Sequence, residues 1–185
     1  VLSAKLKAVS RSRFARLLRD RRGVAAVEFA IIVPVMLIFY LGMFEASHAL
    51  VVKRKVDNAA ETVGGIVARS TEMSATRLRN ILMISDAIVG DAGGVPEITI
   101  TTVKTDDKGV ATRDWERIGT ASGAAKGTPY PLPSDLTGLN DSYFVFAKVR
   151  YQYVPTFDVG GIFGAIEFER TFSYRPRKGD SIPWK

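Results

Sequence analysis

Between Gly23 and Phe44 the chain reads GVAAVEFAIIVPVMLIFYLGMF, a run of 22 residues with a single charge, Glu28. The hydrocarbon core of a bilayer takes ~20 predominantly apolar residues at ~1.5 Å each. Strands are shorter than this run, and a helix in a soluble core is rarely so uniformly apolar. The segment predicts one membrane-spanning helix, and the rest of the sequence has to be arranged around it.

The charge distribution sharpens that reading. The net charge is +7 with a pI near 9.8. Residues 1–22 carry eight cations, Lys5, Lys7, Arg11, Arg13, Arg16, Arg19, Arg21 and Arg22, against one anion, Asp20; the remaining chain has 18 of each sign and is neutral. A nucleic-acid protein is expected to carry its cations on a folded surface, interleaved with aromatics. Here they form a leader, so no nucleic-acid partner is predicted. With no cysteine in the chain, disulfides, thiolate metal sites and a cysteine nucleophile are excluded.

Flanking cations set the orientation. The basic stretch precedes the apolar run, whereas Lys53, Arg54 and Lys55 come well after it. The positive-inside rule therefore places the N-terminus in the cytoplasm and residues from about 45 onward on the other side. Within the leader, Val9, Phe14, Leu17 and Leu18 lie between arginines, a pattern suited to an anionic lipid surface. A cleavable secretory signal fits less well: its apolar stretch is shorter, and the nearest small-x-small site is Ser47-His48-Ala49. Arg21-Arg22 resembles a twin-arginine signal, but Gly23-Val24-Ala25 follows where bulkier residues are usual.

Glu28 is the informative residue of the span. A charged side chain at the centre of a membrane helix costs about 2.5–3.5 kcal/mol on insertion scales. Two readings are open. Glu28 lies near the boundary and can snorkel to water. Alternatively, a cut between Gly23 and Val24 would create an α-ammonium four residues before Glu28. The Val24 amine of one subunit would then pair with Glu28 of a neighbour, and the carboxylate would sit near the positive end of its own helix dipole.

Gly23, four apolar residues and then Glu28, between a basic leader and an apolar helix, resembles the type IV prepilin processing motif. The longer stretch RRGVAAVEFAIIVPVMLIFYLGMFEASHALVVKRKVDNAAETVGGIVA is similar to the TadE-like minor pilins of tight-adherence (Flp) pilus systems. The features that carry the resemblance are Arg19, Arg21 and Arg22 before Gly23, then Glu28-Phe29, Pro34, Glu45 and Asp57-Asn58-Ala59-Ala60. It covers residues 19–70; the remainder matches only as a short mixed domain with strands at its end. The resemblance implies cleavage by the prepilin peptidase between Gly23 and Val24. It also implies an assembly and processing role for Glu28, Phe29 and Pro34. The implied partners are the inner membrane, the prepilin peptidase, the major Flp pilin and other minor pilins, and the pilus platform with its ATPase. Pro34 is otherwise a tolerated kink that leaves the Ala30 carbonyl unpaired.

Beyond the span the helix should continue. Ala49, Val52, Val56, Ala59, Val63 and Ile66 recur at alternating spacings of three and four, with Lys53, Arg54, Asp57 and Glu61 on other faces. Gly64-Gly65 weakens its last turns. A second helix is predicted from Ser74, its cap, to Val89, with Leu78, Ile81, Leu82 and Val89 on one face and Gly90 as its stop. The period then changes to two. Ile98–Thr105, Val110–Ile118, Tyr143–Val154 and Glu167–Tyr174 read as strands, and Asp106–Gly109 as a turn. Residues 119–142, rich in Gly, Pro, Ser and Asp, read as a long surface loop. The tail from Pro176 should be loose unless Trp184 docks.

No catalytic, cofactor or metal motif is found. His48 is the single histidine. Gly160–Gly164 lacks the lysine of a phosphate loop, Asp106-Asp107 and Asn140-Asp141 fail calcium-loop spacing, and Asp158, Glu167 and Glu169 make no convincing acid pair. The predicted class is α+β and pilin-like: a long N-terminal helix, then a small domain with a second helix and a mainly antiparallel sheet of about four strands. Its parts are a cytoplasmic leader (1–23), a transmembrane helix (24–44), a spine (45–70), an extracytoplasmic head (71–175) and a tail (176–185). The expected place is the bacterial inner membrane, single-pass, with the head in the periplasm and incorporation into the pilus left open. The expected role is pilus assembly, without enzyme activity or cofactor. The rival reading is an unprocessed, membrane-tethered periplasmic binding module.

Overall fold

A computed structural model describes residues 22–90, 94–157 and 164–185. Helix α1 (Arg22–Arg69) runs unbroken through Pro34. The chain divides within it into two compact units, one ending at Phe44 and the other spanning Glu45–Lys185.

In the first unit α1 has no polar face. Val24, Val27, Phe29, Ile31, Ile32, Met36, Leu37, Phe39 and Tyr40 are all exposed, and together they point in every direction around the helix. A helix apolar all round needs an apolar surrounding, and α1 is the one helix among the described residues long and apolar enough to cross a membrane.

In the second unit α1 becomes one-sided. Val52, Val56, Ala59, Ala60, Val63 and Val67 are fully buried, while Ala49 and Ile66 are only partly so. The predicted stripe is thus right at its centre and widens at its C-terminal end. A straight helix of 3.6 residues per turn drifts away from a strict 3.5-residue repeat, and this stripe packs on the protein's own sheet, not in a coiled coil. Gly64 is buried at the contact: an ideal Cβ there would collide with the ring of Tyr174 and lie 3.1 Å from Ala147 Cβ. The glycine that weakens the helix in isolation lets it approach the sheet. Gly65 beside it has open space.

Helix α2 (Ala75–Val89) starts at the predicted cap, where Ser74 Oγ accepts the Arg77 N–H at 3.4 Å. It buries Leu78, Ile81, Ser85 and Val89, with Leu82 half-buried against the same core. The sheet has five strands where about four were expected: β1 (Glu97–Thr105), β2 (Ala111–Ile118), β3 (Ala121–Ser122), β4 (Tyr143–Tyr153) and β5 (Ile166–Tyr174). Their spatial order is β3-β2-β1-β4-β5 and every pairing is antiparallel. The extra strand, β3, is a two-residue return at the edge, too short to show a period. Between β1 and β2 the register slips so that Asp114 has no partner, a bulge. There Asp114 accepts the Tyr143 hydroxyl at 3.0 Å and pairs with Lys126 at 2.6 Å.

Alternation in β4 decides both faces. Tyr143, Val145, Ala147, Val149, Tyr151 and Tyr153 pack into the core with the two helices. Phe144 and Phe146 occupy the other phase and form a second, smaller core with Val103 and Ala111. The segment 119–142 covers it with Tyr130, Leu132, Leu136 and Leu139. That segment therefore does more than loop over the surface, because two buried phenylalanines on the outer face require a lid. The C-terminal residues are tied down as well. The Met73 N–H donates to the Pro183 carbonyl at 2.9 Å, and the Lys185 N–H donates to the Met73 carbonyl at 2.8 Å. Trp115 Nε1 donates to the Ile182 carbonyl at 2.6 Å, and the Arg117 guanidinium lies 3.9 Å from the centre of the Trp184 ring. Trp184 docks, and the tail is not loose.

The two neighbouring glycines make a test. Gly65→Ala should stabilise the head by about 0.5–1 kcal/mol through helix propensity. Gly64→Leu should destabilise it by about 1–3 kcal/mol by overpacking. Chemical denaturation of the full chain in detergent micelles reads both; equal effects would contradict the close helix–sheet contact.

Candidate functional site

Two polar arrangements stand out on α1, one in each unit. In the first unit, Gly23 and Val24 occupy the first helical turn, with no described residue within 4 Å of where a Gly23 Cβ would stand. Val24 and Glu28 are four residues apart and so lie on one face of the helix. Glu28 and Phe29 are exposed, and Pro34 lies one and a half turns further along inside the helix. Arg22 is the first residue of α1. Arg19, Arg21 and the rest of the leader lie outside the described residues, as do Asp158 and most of Gly160–Gly164. Glu28 is the one charge in the run Gly23–Phe44, and it lies within two turns of the first residue of α1, where the helix dipole favours a negative charge.

In the second unit, Glu45 is only 3 % exposed. A carboxylate can be buried only if its lone pairs are met by donors. The Tyr153 hydroxyl donates to Oε2 at 2.6 Å and the Phe157 backbone N–H donates to Oε1 at 2.8 Å. His48, one turn along α1, places Nδ1 3.3 Å from the Tyr153 oxygen, and its ring meets Tyr153 edge-on. Burial, and then the carboxylate that accepts its proton, push the Tyr153 hydroxyl up to about 12. The sequence marked Glu45 only as a feature of the resemblance. Its partners are more than a hundred residues away, and the one signal for them was a carboxylate that an apolar helix must satisfy somehow.

Glu167, Glu169 and Asp106 have structural partners. Glu167 and Glu169 join Lys148 and Arg150 in a ladder of exposed ion pairs across β4 and β5, at 2.9–3.0 Å; such pairs are worth about 0–1 kcal/mol each. Asp106 Oδ1 accepts the Lys108 and Val110 N–H groups and forms the β1–β2 turn. Among the described residues no group of three or more His, Asp or Glu side chains is placed to hold a metal ion.

Tyr153→Phe should lower head stability by about 1.5–3 kcal/mol, the range for a hydrogen bond to a charged group. In the native protein the folded hydroxyl titrates near 12, above the usual value of about 10. The stability it contributes is therefore complete below about pH 10 and lost as pH rises through the folded value. Burial raises several other tyrosines as well, so ultraviolet absorbance titration should show one late-titrating tyrosine fewer in Tyr153→Phe than in the native protein.

Comparison with known proteins bears on the helix alone. Residues 23–64 match the family model described as TadE-like protein. No curated protein and no solved structure matches the chain. The chain thus carries a TadE-like domain over most of α1, starting at Gly23, joined to a helix and a five-stranded antiparallel sheet.

Proposed function

We propose that this chain is a TadE-like minor pilin, a membrane-anchored component needed to assemble a tight-adherence (Flp-type) pilus. The observation that carries the reading is a coincidence of boundaries. The TadE-like match begins at Gly23, where the basic leader ends and the all-round apolar helix begins. A long apolar helix followed by a small antiparallel head is also the layout of a pilin.

On this reading the prepilin peptidase cuts between Gly23 and Val24 on the cytoplasmic face of the bacterial inner membrane. The new Val24 ammonium is a cation at the helix start. In a bundle of pilin helices it pairs with Glu28 of a neighbour, so that neither charge faces lipid unpaired. Phe29 and the other large apolar side chains supply the packing surface. Pro34, by leaving one carbonyl of the preceding turn without its N–H, gives the helix a point at which to bend or stretch during packing. The head stands in the periplasm before assembly. Other pilins, the platform proteins and the assembly ATPase are the partners.

Glu28→Ala should leave cleavage intact and reduce incorporation into sheared pili several-fold at equal membrane abundance, measured by immunoblotting the two fractions. Normal incorporation would contradict the pairing role of Glu28.

A further inference from the structure

The apolar surface of α1 does not stop at Phe44. Glu45 is buried, Leu50 and Val51 are exposed, and the first exposed cations after the span are Lys53 and Arg54. Residues 24–44 fill ~32 Å of helix at ~1.5 Å each, close to the ~30 Å hydrocarbon core; headgroups extend a bilayer to ~40–45 Å. The one to two turns that start at Glu45 therefore fall in the headgroup layer. Whatever part of the head is fastened to Glu45 falls there too.

That part is the end of the sheet where β4 finishes and β5 begins. Among the described residues after Arg69, eight large apolar side chains are exposed; Val95, Val154, Phe157 and Ile166 gather at this end, and Ile118 lies at the same margin on β2. The register puts them together. Glu97 pairs with Arg150 and Ile166 with Tyr153, so Val95, just before β1, and Val154, just after β4, lie at the same margin. Phe157 is held there by its N–H bond to Glu45. Val95 is 86 % exposed, Val154 69 % and Phe157 44 %. The opposite margin, where Thr105 turns back to Ala111, exposes only Val110 of this set.

We propose that this margin of the head is a lipid-binding surface, seated in the headgroup layer of a phospholipid bilayer and latched to α1 by Glu45. The proposal rests on the reading that residues 24–44 span the membrane. It is continuous with that span: the same bilayer that surrounds the exposed apolar helix also covers Leu50, Val51, Val154 and Phe157, and Lys53 and Arg54 meet the phosphates. The hydrogen bonds to Glu45 let a carboxylate lie at this depth without facing lipid.

The chain has no cysteine, so single-site nitroxide labels are direct. Ile38→Cys, Val154→Cys, Phe157→Cys and Val110→Cys would each be labelled in the full chain. The samples would be liposomes of phosphatidylethanolamine and phosphatidylglycerol, probed by power saturation against oxygen and a water-soluble nickel chelate. The expected result is a ratio of oxygen to nickel accessibility several-fold higher at positions 154 and 157 than at 110, at a depth shallower than position 38. Adding Glu45→Ala should bring the ratio at 157 toward that at 110 and leave 38 unchanged. Ratios at 154 and 157 equal to that at 110 would overturn the proposal. So would shielding from both reagents, which would mean that protein covers the margin. Nickel access at position 38 would overturn the span itself, a distinct failure.

Discussion

Glu45 is a carboxylate in the middle of α1, just past its apolar run, and it is not in water. Leaving an unpaired charge buried costs several kcal/mol, so the chain must bring donors to it, and it brings them from the far end of the sequence. Tyr153 and the Phe157 N–H close on its two oxygens, which fixes the exit of β4 against α1. Because β4 is flanked by β1 and β5, fixing its end fixes the sheet's placement along the helix. The same contact sets which apolar residues gather beside Glu45.

Around that point one helix serves two solvents. Up to Phe44 its side chains are apolar in every direction; from Val52 onward valines and alanines line one face and cations and carboxylates the others. Small residues are what allow the second role. Ala59, Ala60, Val63 and Gly64 bring the backbone close to Ala147 and Tyr174, so a single helix buries against a sheet without bulky interdigitation. The first role asks only for length and hydropathy, which is why Pro34 is accepted there, while nothing like it occurs where the helix must keep register with the sheet.

Much of this was legible in the sequence because its signals are periodic. The helix stripe, the Ser74 cap and the alternation in β4 are each set by local spacing, and each lies within a residue or two of its expected place, while the apolar run falls within one long helix. What was not legible depends on contacts across the chain. The lid over Phe144 and Phe146 reads as loop because Leu132, Leu136 and Leu139 sit among Gly, Pro, Ser and Asp with no period. Docking of the tail depends on Trp115 reaching the Ile182 carbonyl and Arg117 stacking on Trp184, pairs that no local pattern marks. β3 is too short to have a signature. At the candidate site, Gly23 and Glu28 were read from a motif, whereas the partners of Glu45 required the fold.

A pilin role turns on whether the leader is removed, since only then does the Val24 amine exist to meet Glu28. The most direct measurement is the intact mass of the protein from native membranes, beside a Gly23→Arg variant. The account predicts a native protein that lacks residues 1–23 and a variant that keeps them. A full-length mass in both, in cells with an active prepilin peptidase, would contradict it and leave a tethered periplasmic binding module in its place.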